Sequence, residues 1–228
     1  MSLRTRSLAL EILDQHDVDP VTMAAVLRDL SAVNTLTRAR APTLQFMRKI
    51  ARRSPGPLRV LDVGFGDGDM LRRLARWGRR AGVPLSLSGI DLASAAAARA
   101  RTPAWMAIDY RTGDLFDEPA GTHDVILSSL FTHHLTDQQI VRFLRWMERS
   151  AVQGWFINDL HRHILARDGF TLLSAAAGFH PIVQADGRLS VARSFRRADW
   201  ARLLRAADVP GRITWHMPFR YCVSRCRP

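Results

Sequence analysis

An α/β fold built on a doubly wound, mostly parallel seven-stranded sheet is predicted by three features of this 228-residue sequence. From Leu58 onward, short apolar runs alternate with helical patterns, which is how parallel strands joined by crossover helices read. One run, LDVGFGDG at 61–68, ends in three glycines within five residues, a turn that can feed a strand into a helix. At the C-terminus, GRITWHMPFRYCVSRC reads as two strands meeting at Met217 and Pro218, an antiparallel hairpin on the sheet.

Residues 1–56 are expected to form a helical N-terminal cap of three helical stretches. Asp19 followed by Pro20 gives an N-cap and a proline in the first turn, and Met23, Val26, Leu27 and Leu30 follow at helical spacing. Pro42 opens another helix carrying Leu44, Phe46, Met47 and Ile50, and RRSPGP ends it because two prolines around a glycine cannot continue a helix. The domain proper, 57–228, has strands expected at 58–63, 85–90, 105–110, 123–130 and 154–159. Helices are expected at 70–81, 93–101 and 137–150, with ligands binding at the carboxyl ends of the strands. A lid insertion at about 161–196 follows, since so long a connection in a compact domain is usually functional. The helix RADWARLLRAAD comes after it.

Hydrophobic content of 47% with 24% charged residues fits one folded globule. No window approaches the ~20 apolar residues of a spanning helix. Glu11, Asp14 and Asp17 interrupt the apolar stretch that a signal peptide would need, so a cytoplasmic location is the expectation. Cys222 and Cys226 have no further cysteines to complete a four-sulfur zinc site, and on a strand they face one side, where packing is their expected role. The net charge of +12 raises nucleic acid as a partner. The cations are scattered, however: Lys49 is the sole lysine, and the arginines fall at spacings that suit solvated helix faces, so nucleic acid is not the expected partner.

The glycine loop could hold a dinucleotide phosphate or something without phosphate. Its spacing is Gly64-x-Gly66-x-Gly68 rather than G-x-G-x-x-G. Asp67 and Asp69 would stand beside the phosphate, and like charges ~4–5 Å apart cost on the order of several kcal/mol near a protein surface. Asp69 is expected instead as the N-cap of the next helix. Asp62, at the strand tip, suits a cationic ligand. Asp91, 23 residues beyond Gly68, stands where a carboxylate grips ribose hydroxyls. The ligand so described has an adenosine-like half and a cationic half, which S-adenosylmethionine, with its sulfonium and ammonium groups, fits.

With LDVGFGDGD, GIDL, TGDLFD and DVILSSLFTHHLTD in this order, the stretch from about Leu58 to Asp159 resembles the class I S-adenosylmethionine-dependent methyltransferases, whose fold is Rossmann-like. The resemblance implies that Asp62, Gly64, Phe65, Gly66 and Gly68 hold the methionine part, and that Asp91 and Leu92 lie at the ribose. Asp114 and Leu115 would lie at the adenine, and Ser129 and Leu130 would line the cofactor from the other side. Phe65 stands where the family often has a small residue or cysteine.

Methyl transfer to a neutral hydroxyl needs a base: a phenol of pKa ~10 is about 4 kcal/mol from ionised at neutral pH. His161 in NDLHRH is the first candidate, with His133 and then His134 in FTHHLTD after it. Magnesium-dependent relatives carry acids after strand four and an Asp-Asn pair after strand five. Here the order is Asn158-Asp159, and Ser128 and Ser129 replace the strand-four acid, so no metal is expected. The Asn/Asp-Pro-Pro-aromatic, paired-cysteine and Lys-Asp-Lys-Glu signatures of nucleic-acid methyltransferases are missing from the sequence. The SSLFTHHLTD and NDLHRH pattern also looks like the quinone and natural-product branch of the family. The expected acceptor is therefore a small, aromatic or polyketide-like hydroxyl under an apolar cap carrying Phe170, Leu172, Leu173, Phe179 and Trp200. An RNA methyltransferase and a non-catalytic cofactor-binding protein are the alternatives, and the oligomeric state, a homodimer included, is open.

Overall fold

The structure is a computed structural model describing residues 3–15, 18–54, 56–92, 98, 99 and 101–227. Its seven strands are β1 (Leu58–Val63), β2 (Leu85–Asp91), β3 (Ile108–Thr112), β4 (His123–Ser129), β5 (Ala151–Leu160), β6 (Arg212–His216) and β7 (Arg220–Cys226). They form one sheet in the order β3-β2-β1-β4-β5-β7-β6. β1 to β5 are parallel, and β7 is antiparallel to both β5 and β6. The chain order turns back between β1 and β4, and that reversal opens a crevice at the strand ends.

Eight helices accompany the sheet among the described residues: α1 (Ile12–Gln15), α2 (Pro20–Leu36), α3 (Ala41–Ala51), α4 (Asp69–Ala81), α5 (Asp137–Ser150), α6 (Ile164–Ala176), α7 (Pro181–Arg193) and α8 (Arg197–Ala207). Alternation along β1 sorts the two layers. Leu58 and Val60 face a core with Phe46, Met47 and Leu74 of α3 and α4, while Leu61 and Val63 face Phe143, Met147 and Leu203 of α5 and α8. Asp62 shares the α3/α4 side with Val60.

Asp19 caps α2 by accepting from the amides of Val21 and Thr22, and Thr136 with Gln139 closes a capping box on α5. β3 lies at 108–112 rather than 105–110, because Trp105 is half exposed and only Ile108 onward pairs with β2. The expected helix 93–101 falls mostly on residues outside those described. Cys222 and Cys226 both pack in the α3/α4-side core. None of the described helices is long and apolar enough to cross a membrane.

The insertion after β5 is the helix pair α6–α7, and it leaves and rejoins the domain at one point. The Arg162 amide donates to the Phe195 carbonyl at 2.9 Å, and His161 bridges to Phe195. Its apolar face joins the N-terminal segment: Val26, Leu30 and Val33 pack with Phe170, Phe179 and Val183. Polar contacts tie the two further. Asp186 of α7 accepts from the Ile12 and Leu13 amides at 2.8 and 3.1 Å, and the His180 amide donates to Asp29 at 2.8 Å. The cap over the strand ends is thus woven from two distant pieces of chain. Trp200 is not part of it, because α8 turns its indole under the sheet against Phe195, 4.2 Å between ring centres.

Candidate active site

The β1 tip and its loop form one half of the site. Gly64, Gly66 and Gly68 all have left-handed backbone, at φ 70°, 55° and 76°. A Cβ on Gly64 would lie 2.5 Å from the Phe131 ring and one on Gly68 would meet the Tyr110 hydroxyl, so a larger residue at either would displace an aromatic wall. Gly68 is the N-cap of α4. Asp69 is the first helical residue and pairs with Arg40 of the cap, so it is not the N-cap expected from the sequence. Asp67 pairs with Arg72 at 3.0 Å.

Both loop carboxylates are therefore neutralised, and repulsion by them is not what excludes a phosphate. The obstacle is Asp91, whose carboxylate already accepts the Gly66 amide at 2.9 Å, an amide that a phosphate oxygen would need. Asp62 is buried, and its Oδ1 has no hydrogen-bond partner among the described residues. Burial, with Asp91 and Asp69 adding to it, pushes its carboxyl up to about 8. Such a carboxylate lacks a cation, and a cofactor carrying ammonium and sulfonium groups fits this place.

The tips of β4 and β5 form the other half. Leu130 takes left-handed backbone at φ 57°, its amide donating to the Asn158 carbonyl, and Ser129 Oγ lies 3.3 Å from Thr43 Oγ1. Beyond them a short 3-10 turn, Thr132–His134, folds back over β5. There Asp159, fully buried, accepts from the Thr132 hydroxyl, the His133 amide at 3.1 Å and its own neighbour's amide, that of Leu160, at 2.7 Å. The His133 ring presents Nδ1 to Asp159 at 2.8 Å, which puts the proton of the neutral imidazole on Nδ1 and leaves Nε2 as the acceptor. Nε2 has Glu11 Oε1 3.7 Å away. Burial pulls the imidazole down, but Asp159 and then Glu11 outweigh it and its pKa is raised. Burial would raise Asp159, yet His133 and the donated hydrogen bonds hold it to about 2.

Between the halves and under the cap lies a chamber of about 570 Å³. Its floor includes Gly64, Gly66, Ser129, Leu130, His133 and Arg220, and its roof Leu27, Leu30, Phe170, Leu173 and Val183. Leu172 points away and is 73% exposed. His134 lines the chamber but gives Nδ1 to Asp14 at 3.0 Å. His161 does not line it: its ring lies against Tyr221 and His163, and its Nδ1 accepts from Trp215 Nε1 at 3.3 Å. Burial, followed by His163 and two arginines, lowers its pKa to about 4, which makes it a weak base.

Glu11, His133 and His134 offer ligand atoms within 4.8 Å of one another. The Arg193 guanidinium already lies 3.9 Å from Glu11 and donates to the carbonyls of both histidines. Of the remaining expected cofactor residues, Phe65 is buried against Tyr110, and Leu92 is 78% exposed. Asp114 is exposed and caps a 3-10 turn by accepting the Phe116 amide, with Leu115 packed on the core beside it. For Asp159 the sequence signal is its place at a strand tip. For Glu11, a residue of the cap, there is none.

Residues 60–154 match the profile of a methyltransferase domain family. No curated protein matches the sequence. Among solved structures, the plantazolicin methyltransferase BpumL bound to S-adenosylhomocysteine aligns with a TM-score of 0.66 at 15% identity, over 92% of this chain and 91% of that one. A methyltransferase from Aquifex aeolicus aligns at 0.61 and 17%, over 91% and 98%. The magnesium protoporphyrin IX methyltransferase of Synechocystis PCC 6803 aligns at 0.55 and 15%, over 94% and 90%. The seven-stranded order with its terminal hairpin is shared fold; at these identities the acceptors of those enzymes do not transfer.

Proposed function

We propose that the chain, whose residues 60–154 match a methyltransferase domain profile, is a class I S-adenosylmethionine-dependent methyltransferase that methylates a hydroxyl of a small, aromatic or polyketide-like acceptor, with His133 as general base. The observation that supports this reading most is the buried Asp159–His133 pair, which leaves Nε2 as the acceptor nitrogen of a histidine that lines an apolar-roofed chamber next to the glycine loop. Asp62 and the glycines would hold the methionine part of the cofactor, Asp91 the ribose, Asp114 and Leu115 the adenine, and Ser129 and Leu130 the side facing the acceptor. Bound there, S-adenosylmethionine supplies a methyl group already activated on a sulfonium.

The protein's part is placement and proton removal. Orienting the acceptor can supply ~7–11 kcal/mol of the barrier. Removing the phenol proton costs about 4 kcal/mol at neutral pH without help. A base with a raised pKa, locked in one tautomer by Asp159, narrows that gap. The half-woven cap, 1–56 with the insertion at about 161–196, excludes water and chooses the acceptor. His161, the first candidate from the sequence, passes the role to His133 because it lies off the chamber and is too weak a base. The size and apolar roof of the chamber favour a small acceptor over RNA.

The test is single-turnover methyl transfer across a panel of phenols and quinols. His133→Gln is expected to slow the chemical step ~10²–10⁴-fold while S-adenosylhomocysteine affinity by calorimetry stays within about two-fold. Equal rates in wild type and variant would remove the base from the mechanism. A second reading, with Glu11, His133 and His134 around a divalent cation, is favoured by their spacing and opposed by the fixed charge of Arg193 beside them. Dialysis against EDTA decides between the two: the rate is expected to persist, and a loss restored by added cation would assign the cluster to metal.

A further inference from the structure

Five arginines are buried among the described residues: Arg40, Arg72, Arg162, Arg193 and Arg220. A buried guanidinium carries five N–H groups, and each left without an acceptor is costly. Four of the five are provided for within the chain. Arg40 holds Asp69, Thr35 and Ser31; Arg72 holds Asp67; Arg162 holds Asp199 and the carbonyls of Leu3 and Ser194; Arg193 holds three carbonyls. Arg220 differs. It is 2% exposed and, among the described residues, donates only Nη2 to Thr37 Oγ1 at 3.3 Å and leaves both Nε and Nη1 without partners. Nε and Nη1 lie on different edges of the guanidinium, each beside Nη2, so whichever edge Thr37 occupies, the other can still pair a free donor with the second Nη2 hydrogen and take a carboxylate in a fork. The residue also lines the chamber, at the start of β7 beside Pro218 and Phe219. Burial lowers its pKa, though only to about 10, so it stays a cation at neutral pH.

We propose that Arg220 is the receptor for a carboxylate of the acceptor, so that the natural acceptor is a hydroxyl-bearing carboxylic acid bound as its anion. This rests on the reading of the chamber as the acceptor site and narrows it to a substrate class. The cofactor also carries a carboxylate, but its place is with Asp62 and Gly64 on β1. In the order β1-β4-β5-β7 the backbone of Arg220 stands three strand spacings, ~14 Å, from β1. Among the chamber residues it donates to Thr37, pairs across the sheet with Leu160 and follows Phe219 in the chain.

The probes are 6-hydroxy-2-naphthoate and its neutral amide, 6-hydroxy-2-naphthamide, titrated by calorimetry into the full chain saturated with S-adenosylhomocysteine. Wild type is expected to bind the acid at least ~10-fold more tightly than the amide, the ordinary worth of a charge-assisted pair. Arg220→Met is expected to bring the acid down to the amide's affinity and leave the amide and S-adenosylhomocysteine within about two-fold. Without ligand, Arg220→Met is expected to melt higher than wild type by a few degrees, since it removes buried N–H groups that lack acceptors, whereas a purely structural arginine would give a lower melting point. Arg220→Lys, which keeps the charge without the fork, is expected to retain only part of the preference and carries the test should the Met variant fail to fold. Equal binding of acid and amide by wild type, or an undiminished preference in Arg220→Met, would overturn the proposal. So would a ten-fold loss of S-adenosylhomocysteine affinity in that variant, which would give the guanidinium to the cofactor. Because these are binding measurements, they stand apart from the fate of His133: methylation of the neutral amide, and its loss in His133→Gln, can hold while this proposal fails.

Discussion

Asp62 and Asp159 sit at the tips of β1 and β5, on either side of β4, both buried from solvent, and their carboxyl groups behave in opposite ways. Burial acts upward on each. At Asp62 nothing offsets it, and the neighbouring Asp91 and Asp69 add to it, so the group rises to about 8. At Asp159 an imidazole, a hydroxyl and two backbone amides outweigh burial and hold the group to about 2. The difference separates the two halves of the site. Asp159 is completed by its own chain, whereas Asp62 Oδ1 has no hydrogen-bond partner among the described residues, the place that the proposed cofactor's cation would take. A buried carboxylate is thus read by its partners and not by its burial.

The largest break in this comparison is Asp159→Ala. It strands His133 and leaves Arg220 with one less balancing charge, and breaking a buried pair in this way typically costs ~3–5 kcal/mol. For a chain of this size a melting-point drop on the order of 10 °C is expected by scanning calorimetry. A drop of only a degree or two would mean that the pair is solvated in solution.

The contrast sharpens through proton linkage at Asp62. Its folded pKa is raised, so its contribution to stability is fully present below the unfolded value and is lost as pH rises through about 8. The ligand-free protein is expected to lose stability across that window, and Asp62→Asn to flatten the slope. Binding a cation favours the carboxylate, so S-adenosylhomocysteine should drive close to one proton into the buffer at neutral pH, measured as a dependence of binding heat on buffer ionisation enthalpy. A binding heat independent of buffer in wild type would mean that Asp62 is already ionised.

The smallest effect compares two neighbours on α6. Leu173 lines the chamber and Leu172 is exposed. Leu173→Ala is expected to raise the acceptor KM by about five-fold, in line with roughly 1 kcal/mol of lost contact, and Leu172→Ala by less than two-fold. Equal effects would move the acceptor outside the chamber.

Much of the cofactor half was legible in the sequence because its determinants are local. β1 at 58–63 and α5 at 137–150 lie where periodicity put them, and the glycines make the strand-to-helix turn read from the sequence, with left-handed backbone at each. The reason for excluding phosphate was not legible. Asp67 and Asp69 look like free charges in the sequence, and only the fold brings Arg72 and Arg40 against them. The acceptor half depends on contacts far apart in the chain. HH at 133–134 and HRH at 161–163 look alike as candidate bases, yet Asp159 stands under one and the β6–β7 hairpin covers the other.

By itself, then, the sequence determined the layered α/β architecture, the glycine turn and the acids at the strand tips, because apolar period and left-handed turns act over a few residues. Tertiary structure alone decided which of those acids is partnered, which histidine sits on a buried carboxylate, and that Arg220 lies buried with Nε and Nη1 unclaimed among the described residues. Charge and pKa respond to neighbours a few ångströms away, and in a sheet ordered β1-β4-β5-β7 those neighbours come from residues 11, 37, 159 and 220.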